Sequence, residues 1–392
     1  MAVIKVKENV YWLGVNHWDR RLFDELIPLP EGTSYNSYII FGKEKTAIID
    51  AVDPAVEEQL FENLNEIGVK NVDYIISNHA EQDHSGAIPS LIKRFPNAKV
   101  VTNLKCKNML MDLLLIPEDK FIVINEQDKL ELGGKTLEFY MIPWVHWPET
   151  MATYLKEDKI LFPCDMFGSH VATSDIFNEE HFYIPSKRYY TEIMSPFRSN
   201  VRSNLEKIKK LEINIIAPSH GYIYRNPQKI ISAYEDWSSE NVKNEVVIVY
   251  VSMHGSTKKI AEFLREEIIK RGINVHFFNL TVTDIGALAM SLIDAATLIL
   301  AAPTVLAGVH PILMNVVYLT NLLRVKTKFV GVVTSYGWGG KAVEDIKNNI
   351  SNIKATLLEP VLIKGYPKQQ DFEKLKILAD EVLKRHKELG II

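Results

Sequence analysis

Four short segments of the chain carry seven imidazole and carboxylate donors: His79-x-Glu81-x-Asp83-His84, then His146, Asp165 and His220. A set of nitrogen and carboxylate donors with no thiolate among them argues against a structural zinc site. It suits hard to borderline ions such as iron, manganese or hydrolytic zinc. His79 and Glu81, two apart on an extended segment, can point the same way, and Asp83 and His84 can serve a neighbouring ion one step along the turn. Asp165 closes the apolar run Ile160-Leu161-Phe162-Pro163-Cys164 and is placed to bridge two ions. His146, in Pro143-Trp144-Val145-His146-Trp147-Pro148, and His220, in Ala217-Pro218-Ser219-His220-Gly221, sit in turn-prone sequence that can aim a side chain inward. Asp50, ending its own apolar strand, reads as a structural acid. His170, five residues after Asp165, is a candidate to line the pocket or donate protons, the alternative being a loop histidine satisfied by its neighbours.

The elements that must position these donors are legible on either side of them. The first segment follows Tyr74-Ile75-Ile76 and precedes Gly86 and a helical pattern (Ile88, Leu91, Ile92, Phe95), which predicts a loop at a strand end. Asn36 to Phe41 and Lys45 to Asp50 read as a hairpin turning at Gly42-Lys43, with helices at Val56 to Ile67 and Ala87 to Phe95. That mixture fits a layered α/β domain with antiparallel pairs. The chain turns polar over Glu235 to Asn244, and Val246 to Val251 is an unbroken run of the kind found in buried parallel strands. The expected boundary therefore separates residues 1–243 from 244–392. Beyond it, strands at Ala296–Ala301 and Phe329–Thr334 alternate with helices at Thr257–Lys270, Leu313–Leu323 and Ala342–Ile350, which predicts a doubly wound parallel sheet.

Three loops of this second half fall at strand carboxyl ends, where such sheets bind ligands. They are Ser252-Met253-His254-Gly255-Ser256-Thr257, Pro303-Thr304-Val305-Leu306-Ala307-Gly308 and Ser335-Tyr336-Gly337-Trp338-Gly339-Gly340. Hydroxyls and N–H groups where the first loop enters its helix form a cradle for a phosphate. The absence of a Walker lysine and of G-x-G-x-x-G spacing disfavours ATP and dinucleotides. Tyr336 and Trp338 between glycines could cover a planar ring system.

Composition narrows the partners. With 392 residues the chain suggests two domains, and a net charge of -4 offers no basic footprint for nucleic acid. No apolar run approaches the roughly 18 residues that cross a bilayer, and the N-terminus lacks a long apolar core, so neither membrane nor export is expected and the cytoplasm is the default location. The two cysteines, Cys106 and Cys164, form no C-x-x-C pair, so an iron–sulfur or rubredoxin-type donor is expected to be a separate protein.

The order of metal donors resembles the metallo-β-lactamase fold, whose hydrolases carry H-x-H-x-D-H followed by His, Asp and His. Glu81 stands where that pattern has its second histidine. A third anionic ligand beside Asp83 and Asp165 suits an iron pair cycling between oxidation states. H-x-E-x-D-H is characteristic of the flavodiiron proteins, and the three later loops resemble a flavodoxin-like FMN site. The resemblance spans essentially the whole chain. It implies an N-terminal metallo-β-lactamase-like αββα domain, a C-terminal flavodoxin-like domain, FMN and two iron ions per subunit. His79, Glu81 and His146 would hold one iron, Asp83, His84 and His220 the other, and Asp165 would bridge them. It further implies reduction of O2 to water or of NO to N2O, and a head-to-tail homodimer, or a dimer of dimers, placing one subunit's FMN at the other's irons. The donor would be rubredoxin or a reduced deazaflavin coenzyme. Leu306 and Ala307 depart from the paired asparagines of many relatives, which leaves FMN contacts there to the backbone. The competing reading is a hydrolase of the same fold with an appended flavodoxin module.

Overall fold

A computed structural model describes residues 3–392 apart from 179 and 351. The chain divides into two compact units, one ending at Ser238 and the other running from Ser239 to Ile392.

The first unit has at its centre two sheets packed face to face, with helices outside and two short two-stranded pairs beside them. The larger sheet has the strand order Ile4–Lys7, Val10–Trp12, Tyr38–Phe41, Thr46–Ile49, Tyr74–Ile76, Lys99–Thr102, Phe121–Val123. The smaller has the order Lys129–Glu131, Thr136–Met141, Met151–Leu155, Ile160–Phe162, Ile215–Ile216. Alternation along each strand divides its side chains between two cores. Ile40, Ala47, Ile49, Ile76 and Val101 meet Phe139, Met151, Ile160 and Phe162 between the sheets. Ile39, Ile48, Ile75 and Val100 face the other way, against Leu60 and Leu64 of helix Glu57–Glu66 and Leu91 of helix Ile88–Arg94. The expected hairpin is present, with Tyr38 opposite Ile49 and Phe41 opposite Thr46.

Strands Thr46–Ile49, Tyr74–Ile76 and Lys99–Thr102 run parallel, as do Ile160–Phe162 and Ile215–Ile216. Their carboxyl ends release Asp50, the His79 segment, Asp165 and His220. One correction applies here: His79 and Glu81 lie in the expected loop, but Gln82–Ser85 forms a helical turn, so Asp83 and His84 are presented from a helix. The Ser85 hydroxyl donates to the carbonyls of Ala80 (2.7 Å) and Glu81 (2.9 Å), which stabilises that turn at its entry.

In the second unit the parallel strands take the order Asn274–Asn279, Lys243–Tyr250, Ala295–Val305, Phe329–Tyr336, with Thr356–Leu357 and Val361–Lys364 both pairing the last of these. This 2-1-3-4-5 order is the flavodoxin-like winding. Helices Ser256–Ile269 and Gln369–Glu388 cover one face; Ile285–Leu292, Pro311–Leu322 and Ala342–Asn349 cover the other. The edge strands and the C-terminal helix were not predicted. Asn274–Asn279 is only half-buried along most of its length, which leaves neither alternation nor a continuous apolar run to read.

Helix Gln369–Glu388 also brings the fully buried His386 into this core. Its Nδ1–H donates to Asn244 Oδ1 (2.8 Å) and its Nε2 lies 2.8 Å from the Thr297 hydroxyl. Burial pushes its pKa down to about 4. The unfolded chain takes up this proton below ~6.5 and the fold resists it until about 4, so stability falls as pH drops through that window. We expect the cost of His386→Leu, measured by denaturant unfolding against the parent, to shrink by about 1–2 kcal/mol between pH 7 and pH 4.5. A cost independent of pH would contradict this.

Among the described residues, no helix is long and apolar enough to cross a membrane.

Candidate metal centre and phosphate cleft

All seven predicted donors converge. His79, Glu81, His146 and Asp165 form one group with ligand atoms within 4.8 Å of one another, and Asp83, His84 and His220 form a second. Asp165 is turned to both. Its Oδ2 lies 3.5 Å from His79 Nε2 and 3.7 Å from His146 Nε2, while its Oδ1 lies 2.9 Å from His84 Nε2 and 3.5 Å from His220 Nε2. Glu81 Oε2 sits between His79 Nε2 (3.2 Å) and His146 Nε2 (2.9 Å), and Asp83 Oδ2 is 3.2 Å from His220 Nε2.

The electrostatics follow from burial and proximity. Burial would raise the carboxyls of Glu81 and Asp165, but the facing imidazoles hold both below the usual carboxylate range. Burial disfavours a charged His84, yet the charges of Asp83 and Asp165 push its pKa up to about 9. Both oxygens of Asp83 and Oδ2 of Asp165 are buried without a hydrogen-bond partner. Orphaned carboxylate oxygens facing imidazole nitrogens are what divalent cations satisfy, by displacing the protons that otherwise balance the charge. The residues present therefore fit a two-metal centre.

The surrounding residues fix the loops. Asp50 is structural as expected: it accepts from the Asn78 N–H (2.8 Å), Asn78 Nδ2 (2.9 Å) and the Ser219 hydroxyl (3.3 Å), tying the His79 loop to the His220 loop. Gly221 has φ +73°, and a Cβ there would lie 1.9 Å from Ser169 Oγ, so the loop beyond His220 admits no side chain. His170 is buried with Nδ1 2.9 Å from the Thr33 hydroxyl and its ring packed edge-on against His220, 4.9 Å between centroids. Burial and the charge of His220 push its pKa well down, and it joins neither ligand group.

Three contributors went unread in the sequence. Glu149 accepts from His79 Nδ1 at 2.6 Å, Tyr189 donates its hydroxyl to Asp165 Oδ1 at 2.9 Å, and the Ser34 carbonyl accepts from His220 Nδ1 at 2.7 Å. A signal existed for Glu149 alone, as an acid three residues after His146 on the same turn.

In the second unit one cleft gathers Ser252, Met253, His254, Ser256, Thr257, Pro303, Thr304, Ser335, Tyr336 and Gly337, together with the unpredicted Gly365. Gly255, at φ +86°, turns the chain into helix Ser256–Ile269, and its N–H donates to Ser252 Oγ (3.1 Å). Thr257 and Ser335 join the first and third loops through their hydroxyls at 2.9 Å. Gly339 and Gly340 line an adjoining hollow with Thr304 and Tyr336. A Cβ at Gly340 would come within 2.3 Å of Thr304 Cγ2, so the second and third loops pack directly together there. Val305, Leu306, Ala307, Gly308 and Trp338 line neither space; Leu306 and Trp338 are 94% and 79% exposed.

Leu306 and Ala307 form a two-residue hairpin loop between the paired Val305 and Gly308, with φ +50° and +63°. Two left-handed residues in succession suit Asn-Gly and strain Leu-Ala. Substituting Leu306→Asn with Ala307→Gly should raise stability by about 1 kcal/mol, read as an increased denaturant midpoint at unchanged slope.

Donors fit for two metal ions on a lactamase-like unit, followed by a flavodoxin-like sheet with a polar cleft at its strand ends, together define the class of protein. A family model described as ODP family beta lactamase matches residues 33–221. The chain is 34% identical over 365 residues to the coenzyme F420H(2) oxidase of Methanothermobacter marburgensis, covering 88% of this chain and 89% of that one. It is 30% identical to the nitric oxide reductase of Moorella thermoacetica, covering 97% and 98%. Its fold matches the crystal structure of the flavodiiron protein from Giardia intestinalis with TM-score 0.92 and 27% identity, over 98% of this chain and 96% of the other. The chain belongs to the flavodiiron protein family.

Proposed function

We propose that this protein reduces O2 to water, NO to N2O, or both, at a two-iron centre refilled by FMN. The observation that carries this reading is Glu81, whose carboxylate lies between His79 and His146 where hydrolases of this fold have a histidine. The hydrolase alternative gains nothing from that added charge and has no use for the second unit.

In this reading His79, Glu81 and His146 would hold one iron, Asp83, His84 and His220 the other, and Asp165 would serve both. When bound, two ferrous ions supply two electrons and reduced FMN two more. The protein's part is to hold and shield. The Tyr189 hydroxyl steadies the Asp165 oxygen that faces the second position. The Trp147 ring stands perpendicular to His79 at 5.0 Å and limits water on that side. The loop over Ser252–Thr257 would offer hydroxyls and N–H groups to the FMN phosphate, and Tyr336, which lines the same cleft, would border its ring.

Electrons arrive from a separate rubredoxin or from a reduced deazaflavin coenzyme; the Methanothermobacter relative is named a coenzyme F420H(2) oxidase. A head-to-tail homodimer, alone or paired into a dimer of dimers, sets one copy's flavin against the other's irons in the cytoplasm. The test is anaerobic reduction followed by separate O2 and NO consumption assays, with iron and FMN quantified on the same sample. An iron-to-flavin ratio near two with rapid uptake of either gas supports the reading; a loaded protein that consumes neither overturns it.

A further inference from the structure

The imidazoles of the cluster are held from behind in unlike ways. His79 Nδ1 donates to a carboxylate oxygen, Glu149 Oε1, at 2.6 Å. His220 Nδ1 donates to a neutral carbonyl, that of Ser34, at 2.7 Å. His84 Nδ1 is buried with no partner. Glu149 is only 2% exposed and fixed from several sides: Oε1 also accepts the Ala80 N–H (3.1 Å), and its own carbonyl accepts from Asn103 Nδ2 (2.7 Å). Its Oε2 has no hydrogen-bond partner, so the imidazole is the main group compensating its charge.

We propose that Glu149 is a positioning residue that makes the two metal positions unequal, so that the His79–Glu81–His146–Asp165 position takes the first cation and the Asp83–His84–His220 position the second. Two effects act in the same direction. With Nδ1–H committed to Glu149, the lone pair of His79 Nε2 is directed at Glu81 and Asp165. A carboxylate behind a metal-binding imidazole also makes it a more basic ligand, and losing such a partner typically costs 10–100-fold in affinity. The first position thus has Glu81, Asp165 and, through His79, Glu149. The second has Asp83 and Asp165.

The inference rests on reading the cluster as a two-metal centre, and the experiment separates the two. The full-length chain, stripped of metal by chelation, is titrated anaerobically with Co2+ and followed by calorimetry and visible absorption. The parent should bind two equivalents in resolved steps. Glu149→Gln keeps the volume and an acceptor for His79 but removes the charge; it should weaken the tighter step by about 10-fold or more and leave the weaker one in place. Asp83→Asn should do the reverse, and it holds the test open if Glu149→Gln fails to fold. The inference is overturned if Glu149→Gln leaves both steps unchanged or weakens them equally, or if Asp83→Asn removes the tighter step. A parent that binds no Co2+ overturns the two-metal reading as well.

Discussion

Asp165→Asn is expected to abolish O2 and NO consumption, by more than ~100-fold, while the FMN of the variant is still reduced at the parental rate. Asparagine has nearly the same volume but only one oxygen and no charge, so it cannot serve four imidazoles from two sides as Asp165 does at 2.9–3.7 Å. The loss falls on both positions at once, because a first-sphere anion shared between two cations contributes to the affinity of each. Among the described residues, the cleft proposed for FMN is lined by residues of the second unit, so its loading and reduction have no reason to change. Measuring iron content, flavin reduction and gas uptake on one sample checks the prediction; uptake at the parental rate would contradict it.

Ser256→Asp is expected to have the complementary effect. Ser256 opens helix Ser256–Ile269, where the first N–H groups are free to receive a phosphate. An aspartate there is compatible with the helix, since a negative charge favours its N-terminus. It sets like charge against the phosphate instead, a juxtaposition that costs several kcal/mol. FMN affinity should fall by about 100-fold or more, from ~3 kcal/mol of repulsion. Iron content and the thermal stability of the FMN-free protein should stay at parental values, and gas uptake driven through the flavin should stop. Retention of stoichiometric FMN through purification would contradict the assignment of the cradle.

Much of this site was legible because its donors are concentrated. His79, Glu81, Asp83 and His84 lie within six residues, and Asp165 and His220 each follow an apolar strand, so type and spacing carried the information. Glu149 was marked only by its nearness to His146, and its partner was not legible for the opposite reason. Its contact with His79 joins residues 70 apart and exists only because strand Met151–Leu155 and the Asn78 loop meet, with Met151 N–H donating to Asn78 O. Tyr189 reaches Asp165 from a helix of the same unit, and nothing in its neighbourhood of sequence marks it.

The fold shows the same division. Strands buried on both faces, such as Lys243–Tyr250 and Ala295–Val305, announce themselves as apolar runs. Asn274–Asn279 and Thr356–Leu357 lie at sheet edges, where half the side chains meet water and the pattern dissolves. The helical turn at Gln82–Ser85 is not legible in the sequence because four residues show no periodicity; the Ser85 hydroxyl and the position of Asp83 and His84 define it only once the chain is folded.

In the proposed function the cluster works by cycling electrons through its metals and not by polarising a substrate for hydrolysis. Glu81 beside His79 and His146 is the residue on which that distinction turns. The most direct measurement loads one metal-free preparation with two equivalents of either Fe2+ or Zn2+, reduces the FMN in both, and records O2 and NO uptake side by side. Uptake is expected with iron and none above the flavin's own background with zinc, which binds the same donors but cannot change oxidation state. Equal uptake by the zinc-loaded protein would contradict it.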